Sequence, residues 1–296
     1  MPNLTVRRFA VCVALLTAFT QAAPAAEILI NDAKSSPESL TLAPGGILFV
    51  GSASTPFVYK VGQGATTAEK FVDASAEGPG TFFFGMLADP NTKTLWTCQL
   101  TPVPDTRPVK RHTSVRGFDL STGDQKLRWD LPGDNSTCND FSFGRDKALY
   151  ITDTGNGKIF KLPAGASTAD LFLEDAALRG VDGITFLDGT LYVNNVITSK
   201  IYRIPMDAAG KAGPPVEISL DQPIKGPDGM RAAKGRLFVA ENGSGKISAI
   251  SVNGDKGTVT VLKEGLKTPT AVEPAGDTLW IAERGAGNAV SIPMPK

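Results

Sequence analysis

The sequence contains a single histidine, His112, among its 296 residues. A catalytic or metal centre that needs two imidazoles is therefore excluded, and a Ser-His-Asp triad would have to use His112. No Gly-x-Ser-x-Gly nucleophile elbow, which would support such a triad, occurs in the chain. Histidine chemistry is thus not expected to carry the function.

The chain is also poor in aromatic residues and has no cluster of basic ones. Aromatic side chains make up 7% of the sequence, and the formal net charge is zero. A nucleic-acid partner needs a basic surface, and single strands need rings on which bases can stack. Nucleic acid is therefore not expected as a partner.

The apolar stretch near the N-terminus, residues 9–19, is too short to span a bilayer, which takes about 20 residues. It follows Arg7 and Arg8 and precedes the small-residue stretch 23–25, an order typical of a cleaved secretory signal. The sequence therefore predicts a signal peptide at residues 1–25, an exported domain at 26–296, and a periplasmic or secreted location. No membrane contact is expected after cleavage, and a membrane anchor is the alternative.

Cysteine is scarce, and cleavage would leave only Cys98 and Cys138. In an oxidising compartment the two residues can form a disulfide. Two separate buried thiols are an equal alternative, because the sequence does not give the distance between them. Neither thiol is expected to be a nucleophile, since no histidine stands nearby to activate it.

Glycine and proline are abundant, with 31 and 21 copies, and they separate the units of a repeat. In residues 227–250 a Pro-Asp-Gly segment leads to an apolar strand, a glycine-rich loop and another strand. Short strands separated by turn residues at this spacing are typical of an antiparallel meander. The same order recurs six times, at residues 37–73, 80–131, 138–175, 181–221, 227–265 and 269–292.

The sixth unit ends one strand short, whereas the apolar segment 27–31 has no partner strand of its own. A ring in which this segment completes the last unit would leave no open sheet edge. Six units of four strands each predict an all-β protein, a six-bladed β-propeller closed by an N-terminal strand in its last blade. A double β-sandwich is the alternative.

One position, nine or ten residues upstream of the apolar strand and immediately before the innermost strand of each unit, carries a carboxylate or amide oxygen in four units. We expect these four side chains to meet at one mouth of the central channel. Converging carboxylates need a positive charge among them, and an oxygen-only ligand set selects a hard cation, calcium above all. Ordinary Asp-Gly turn chemistry is the alternative for two of the four. The residues are Glu38, Asn139, Asp182 and Asp228, with Gly85 and Thr270 in the other two units.

The longest irregular insertion, residues 99–114, falls between the second and third strands of the second unit. That connection should lie at the same mouth as the metal site, and long loops often contribute to binding. Arg107 and Arg111, together with Lys110, are expected to meet an anionic group of a substrate. A solvated basic surface loop is the alternative.

The elements around these residues resemble those of the senescence-marker protein/gluconolactonase family of six-bladed propellers. The resemblance implies a site in which Glu38, Asn139, Asp182 and Asp228 hold calcium or another divalent cation, with Asp228 as base or nucleophile. The chain departs from the family pattern at Asp182, where Asn is usual, and at Thr137, where Arg is frequent. The matching segments are Pro37-Glu38, Asn139-Asp140, Asp182-Gly183 and Pro227-Asp228-Gly229.

A bound cation can polarise the carbonyl of a lactone or ester and stabilise the oxyanion that forms. The sequence therefore predicts an exported, calcium-dependent hydrolase of the lactonase type, a monomer that acts on a small lactone or ester. The alternative is a non-catalytic propeller that binds a protein, peptide or small molecule and keeps a structural metal. The fold alone cannot decide between the two.

Overall fold

The computed structural model describes residues 1, 26–30, 32, 34–107 and 110–295. Apart from two single-turn 3-10 helices, Ser75–Glu77 and Ala176–Leu178, the regular structure of these residues is all strand. The strands form six sheets arranged as a six-bladed β-propeller. The predicted fold class is confirmed, and the double β-sandwich is excluded. Apart from Met1, the predicted signal peptide lies outside the described residues.

The first three blades are antiparallel four-stranded meanders whose strands run outward from the channel in chain order. Blade 1 contains β2 Pro37–Ala43, β3 Ile47–Ser52, β4 Phe57–Val61 and β5 Glu69–Asp73. Blade 2 contains β6 Phe82–Asp89, β7 Thr94–Pro102, β8 Arg111–Asp119 and β9 Gln125–Asp130. Blade 3 contains β10 Cys138–Phe143, β11 Leu149–Asp153, β12 Lys158–Leu162 and β13 Asp170–Glu174.

The last three blades depart slightly from this pattern. Blade 4 contains β14 Val181–Leu187, β15 Thr190–Asn195, β16 Lys200–Ile204 and β17 Val216–Glu217. Blade 5 contains β19 Pro227–Ala233, β20 Arg236–Glu241, β21 Lys246–Asn253 and β22 Lys256–Lys263, with β18 Ser219–Leu220 added in parallel at its outer edge. Blade 6 contains β23 Pro269–Ala275, β24 Thr278–Glu283 and β25 Asn288–Pro293. The end of the fourth repeat thus belongs to blade 5.

The N-terminal strand closes the ring. Strand β1, Glu27–Leu29, pairs antiparallel with β25 and supplies the outer strand that blade 6 lacks. The side chain of Ile28 is buried within the apolar cluster between blades 6 and 1. Strands from both ends of the chain therefore share one sheet, as the incomplete sixth repeat predicts, and the ring is held shut by a backbone ladder.

The hydrophobic core is divided among the six gaps between neighbouring blades. Each gap holds one cluster of buried apolar side chains. Phe49 of blade 1 and Phe83 of blade 2, for example, lie in one cluster and are both fully buried. Because each blade is covered on both faces, side chains of its middle strands are buried on both sides, and all five residues of β11, for example, are buried. The core thus lies around the channel, and the centre is left to polar groups.

In blades 3, 5 and 6 a carboxylate at the end of the second strand fixes the segment that enters the inner strand. Asp153 accepts a hydrogen bond from the backbone of Thr137 at 2.7 Å, and Glu283 accepts one from Lys267 at 2.7 Å. Glu241 does the same for the backbone of Lys225 at 3.0 Å. These carboxylates satisfy amide groups that the sheets leave unpaired. The start of each of these inner strands is therefore held in place by its own blade.

Cys98 of β7 and Cys138 of β10 form a disulfide between blades 2 and 3. Both residues are fully buried, and Cys138 immediately precedes Asn139. Of the two alternatives that the sequence leaves open, the structure has the bridge. In the part of the chain described, no helix has the length and hydropathy to cross a membrane.

We expect the Cys98→Ala/Cys138→Ala variant to lose up to about 4 kcal/mol of unfolding free energy, because the bridge closes a loop of 40 residues in the unfolded chain. Urea unfolding under non-reducing conditions measures the loss. Wild-type protein treated with dithiothreitol is the control and should unfold with the variant. Equal midpoints for the variant and the untreated wild type would contradict the prediction.

Candidate functional site

The four predicted ligand residues lie together at one mouth of the channel. Each is the second residue of an innermost strand, and each side chain is buried, with 5 to 7% of its surface exposed. They line one small cavity of about 10 Å³, room for roughly one water molecule or a bare ion. The equivalent positions of the other two blades complete the ring of six. The lining positions are Glu38, Gly85, Asn139, Asp182, Asp228 and Thr270.

A β-bulge directs these residues toward the axis. In every innermost strand the register with the second strand shifts at this position, for example between Val181 and Ile184 and between Pro227 and Met230. A bulge bends its strand and changes the direction of the side chains that it contains. The sequence predicts these residues immediately before the innermost strands. They lie inside those strands, because two residues in five of the blades, and one in blade 6, pass through the bulge unpaired.

The glycines beside the two aspartates are required by packing rather than by turns. Gly183 and Gly229 lie inside strands β14 and β19 and do not have positive φ angles. A Cβ on Gly183 would lie 2.7 Å from the carbonyl oxygen of Asp228, and one on Gly229 would lie 2.7 Å from that of Thr270. The Asp-Gly pairs therefore mark the close approach of neighbouring blades at the axis, and turn chemistry does not account for them.

Gly85 explains why blade 2 contributes no carboxylate to the ring. A Cβ at this position would lie 1.9 Å from the carbonyl oxygen of Asn139. Blade 2 therefore approaches blade 3 too closely for any side chain at Gly85. The carboxylate and amide oxygens of the ring come from blades 1, 3, 4 and 5, whereas blade 6 contributes the hydroxyl of Thr270, which donates to the carbonyl oxygen of Pro37 at 3.1 Å.

Hydrogen bonds orient the ring. The amide Nδ2 of Asn139 donates to Asp182 Oδ2 at 3.0 Å and to Thr154 Oγ1 at 3.0 Å. Asn242 donates from Nδ2 to Asp228 Oδ2 at 2.9 Å. Thr154 and Asn242 each follow the second strand of their blade directly, so both are supplied by the loops that surround the mouth.

Burial and mutual repulsion raise the pKa of both aspartates. Burial raises the pKa of Asp182 well above its usual value, and the negative charges of Asp228 and Asp140 raise it further. For Asp228, burial is again the main cause and brings the pKa to about 7, against the hydrogen bond from Asn242. The two carboxyl groups also hydrogen-bond to each other. Without a cation, the pair therefore keeps a proton near neutral pH.

Deeper in the channel, a buried guanidinium neutralises a second set of carboxylates. Arg231 makes a bidentate pair with Asp140, at 2.7 and 3.0 Å, and its Nε lies 3.4 Å from Glu273. It also donates to the carbonyl oxygens of Met86 and Met230 at 3.1 and 2.9 Å. Arg231 and Asp140 are thus the part of the cavity lining that lies deeper in the channel.

The partners of Arg231 extend this network to all six blades. Arg231, Asp140, Glu273 and Met86 come from blades 5, 3, 6 and 2. Glu273 Oε1 accepts the backbone N–H of Leu42 in blade 1 at 3.3 Å, and Asp140 Oδ2 accepts that of Ile184 in blade 4 at 3.4 Å. The layer formed by Arg231, Asp140 and Glu273 thus links all six inner strands at the axis.

Glu38 differs from the other ring members in having a cationic partner. The guanidinium of Arg284, from the loop between β24 and β25, contacts Glu38 Oε2 as an ion pair. Glu38 is 5% exposed, whereas the side chain of Arg284 is 30% exposed. Blades 1 and 6 therefore meet at the mouth through opposite charges, which repeat alignment did not reveal.

The donor set fits a hard divalent cation in its chemistry, since every candidate ligand atom is an oxygen and two buried aspartates repel each other. In the structure, however, these side chains are not arranged around a common ion position. Among the described residues, no group of three or more His, Cys, Asp or Glu is placed to hold a metal ion. The carboxyl groups of Asp182 and Asp228 are hydrogen-bonded to each other, and the Glu38 carboxylate contacts the Arg284 guanidinium. Binding a cation requires these contacts to open.

Arg107 and Arg111 do not line the cavity, and both are exposed. Strands β7 and β8 stay paired as far as Pro102 and Arg111, so half of the predicted irregular insertion, residues 99–102 and 111–114, belongs to a regular hairpin. The error arose because prolines and threonines in this segment look like loop residues. The hairpin rises on the same side as the cavity, as predicted, and the Arg111 guanidinium lies 6.0 Å from the ring centroid of Phe82.

The loops that supply Thr154, Asn242 and Arg284 carry a common sequence signal. In each loop the residue follows an acidic strand end and precedes a Gly-x-Gly segment, as in Glu283-Arg-Gly-Ala-Gly. Aligning the repeats on this signal, and not only on the inner strand, would have found these three residues. Asp140, Arg231 and Glu273 carry no such signal, because each occurs in its own blade only.

Known structures share the fold at low sequence identity. A gluconolactonase from Xanthomonas campestris matches with a TM-score of 0.67 and 18% identity, over 93% of this chain and 99% of that one. A virginiamycin B lyase from Staphylococcus aureus matches with 0.61 and 16%, over 92% and 99%. An aldose sugar dehydrogenase from Streptomyces coelicolor matches with 0.61 and 15%, over 92% and 98%. Neither a scan against protein-family models nor a search of curated proteins found a match.

These similarities establish the class of protein. The chain is a six-bladed propeller of the kind found in gluconolactonases, and the family resemblance seen in the sequence is supported at the level of the fold. Enzymes with quite different reactions share the same fold, so the reaction has to be argued from the site.

Replacing Arg231 by Leu should reduce the unfolding free energy by roughly 3 to 5 kcal/mol, because Asp140 and Glu273 would remain buried without their counter-charge. Urea unfolding measures the effect. Arg128→Leu is the matched control: its ion pairs with Glu77 and Asp130 are partly exposed and should contribute about 1 kcal/mol or less. Equal losses of unfolding free energy for the two variants would contradict the role of Arg231 in linking the inner strands.

The chelator-treated protein should lose stability as the pH rises from about 4 to about 7. The folded pKa of Asp228, about 7, lies above the ordinary value of 3.8, so the folded state binds the proton more tightly and loses that advantage on ionisation. The loss should be on the order of 4 kcal/mol. Urea unfolding at several pH values measures it. The Asp182→Asn/Asp228→Asn variant should show a flatter profile, and an unchanged slope would refute the assignment.

Proposed function

We propose that the protein is a divalent-cation-dependent hydrolase of the lactonase type, with calcium as the preferred ion and a small lactone or ester as substrate. One observation carries this proposal: carboxylate and amide side chains from four separate blades line a single ion-sized cavity at one mouth. The fold shared with a gluconolactonase supports it. The residues that would hold the cation are Glu38, Asn139, Asp182 and Asp228.

The cation would supply a Lewis acid that polarises the substrate carbonyl. The protein's own groups would orient the substrate and handle the proton. Asp228 is the proposed base, and Asn242 holds its carboxylate in place. Asp182 is an acidic neighbour of Asp228 and would share a proton with it in the metal-free protein, where burial raises the pKa of both groups.

Substrate would bind above the cavity and not inside it. The cavity accepts about one water-sized group, and Arg231 with its partners fills the channel beneath it. A lactone would therefore reach the cation from the mouth, with only its carbonyl directed inward. The hairpin of blade 2, with Arg107 and Arg111, stands on this side and would contact the outer part of a substrate.

The buried disulfide supports an exported protein, because such bridges persist in oxidising compartments such as the periplasm. It is consistent with the signal peptide predicted for residues 1–25. We therefore propose a periplasmic or secreted hydrolase that acts as a monomer.

Hydrolysis of a lactone panel, followed by proton release with and without chelator, tests the function. Activity should disappear with chelator and return with calcium. Asp228→Asn should reduce kcat by at least about a hundredfold, because the base is lost. Asp188→Asn changes an exposed carboxylate in the hairpin between β14 and β15, and serves as the control.

Chelator-insensitive turnover, or equal rates for Asp228→Asn and Asp188→Asn, would overturn the proposed mechanism. Calcium binding without turnover of any lactone or ester would instead support a binding protein with a structural metal. The shallow mouth, closed from below by Arg231, is compatible with that second function.

A further inference from the structure

Arg284 occupies a rigid position at the mouth. The backbone N–H of Arg284 donates to the carbonyl of Thr268 at 3.0 Å, and that of Gly285 donates to the carbonyl of Lys267 at 2.9 Å. A Cβ on Gly285 would lie 2.9 Å from the same Lys267 oxygen, so the loop is packed against the preceding segment. The guanidinium thus extends inward from a fixed loop to reach Glu38 of the neighbouring blade.

Arg231 and Arg284, the two arginines near the cavity, differ in the number of hydrogen bonds and ion pairs that they make. Arg231 has hydrogen bonds to two carbonyl oxygens, a bidentate bond to Asp140 and an ion pair with Glu273. Among the described residues, Arg284 has one ion pair, to Glu38, and its buried Nε has no partner. The Nε of Arg231 also lacks a hydrogen bond, but it lies 3.4 Å from Glu273 in an ion pair. A guanidinium has five N–H donors arranged to receive a carboxylate in two parallel bonds. Most N–H donors of Arg284 therefore have no partner among the described residues, and they lie close to the solvent-facing mouth.

Glu38 cannot serve a divalent cation and Arg284 equally well. Its carboxylate is almost fully buried and is shared between the cavity that it lines and the guanidinium that it contacts. A cation in the cavity would draw Glu38 away from Arg284. The guanidinium would then be left partly buried without a counter-charge, which is costly unless another anion replaces Glu38.

We propose that Arg284 is the anion-recognition residue of this site, which exchanges Glu38 for a carboxylate of the bound ligand when Glu38 turns to a divalent cation. The cation and the ligand carboxylate therefore bind cooperatively, and the preferred substrates are small lactones or esters that carry a carboxylate. The inference rests on the proposed function for the cation, but not on turnover.

Calcium titration by calorimetry on chelator-treated protein tests the exchange. The probes are sodium acetate, a simple carboxylate, and acetamide, its neutral analogue, at equal ionic strength. Acetate should lower the calcium Kd of the wild type about fivefold or more relative to acetamide, since coupling between two sites commonly has this size. By reciprocity, calcium should tighten acetate binding by the same factor.

Arg284→Gln should abolish the acetate effect, and in acetamide it should bind calcium more tightly than the wild type because the competing guanidinium is gone. Arg284→Lys should retain part of the acetate effect. Arg203→Gln is the control, since it removes a guanidinium that is as partly buried as that of Arg284 but is paired with Asp255 near the opposite end of blade 4. Thermal melting without calcium verifies that each variant is folded.

Calcium binding that is equally tight in acetate and acetamide would refute the role of Arg284 and leave the metal site standing. An acetate effect that survives in Arg284→Gln would also refute the role of Arg284 and would point to the basic side chains of the blade 2 hairpin, Arg107, Lys110 and Arg111. Absence of divalent-cation binding in every condition would refute both this inference and the proposed cofactor, since Glu38 would then never leave Arg284.

Discussion

The pairing of Arg231 with Asp140 is the interaction on which the centre of this propeller depends. The apolar clusters lie between the blades, so they cannot fill the axis where the six inner strands converge. One guanidinium, with its carboxylate and carbonyl partners, fills that space instead. A buried ion pair is costly unless its other donors and acceptors have partners, and here carboxylate and carbonyl groups of the inner strands accept hydrogen bonds from both terminal nitrogens of Arg231. Closure of the channel and formation of a one-sided cavity follow from this layer.

The cavity is formed by one equivalent position in each of the six blades, and the residue at that position differs between blades. A bulge at the same position in every inner strand directs one residue per blade toward the axis, so any oxygen ligands placed there will meet. The blades approach so closely that glycine is needed at Gly85, Gly183 and Gly229. Close packing thus removes the side chain of blade 2 from the ring and, in blades 4 and 5, sets each aspartate directly before a glycine.

The features predicted correctly from the sequence are those that repeat. Six copies of one strand pattern indicated six blades, and alignment of the copies placed Glu38, Asn139, Asp182 and Asp228 together. Features that occur once were missed, because an unrepeated residue has no aligned partner to reveal its direction. Arg231 and Glu273 lie on inner strands like many other polar residues, and only the three-dimensional arrangement shows that they meet. The paired hairpin of blade 2 was missed for a different reason, since strand pairing overrode its loop-like composition.

The carboxylates at the axis are neutralised in three ways that differ in how easily they are undone. Asp140 is held by an arginine with several other bonds, Glu38 by an arginine with one contact, and the Asp182–Asp228 pair by a shared proton. A cation entering from the mouth meets the two weaker arrangements first, since the Arg231 layer lies beneath them. The deeper layer would therefore keep the propeller intact while the upper layer exchanges its charges. This order, from a permanent counter-charge below to replaceable ones above, allows an acidic cluster to be both a structural centre and a candidate binding site.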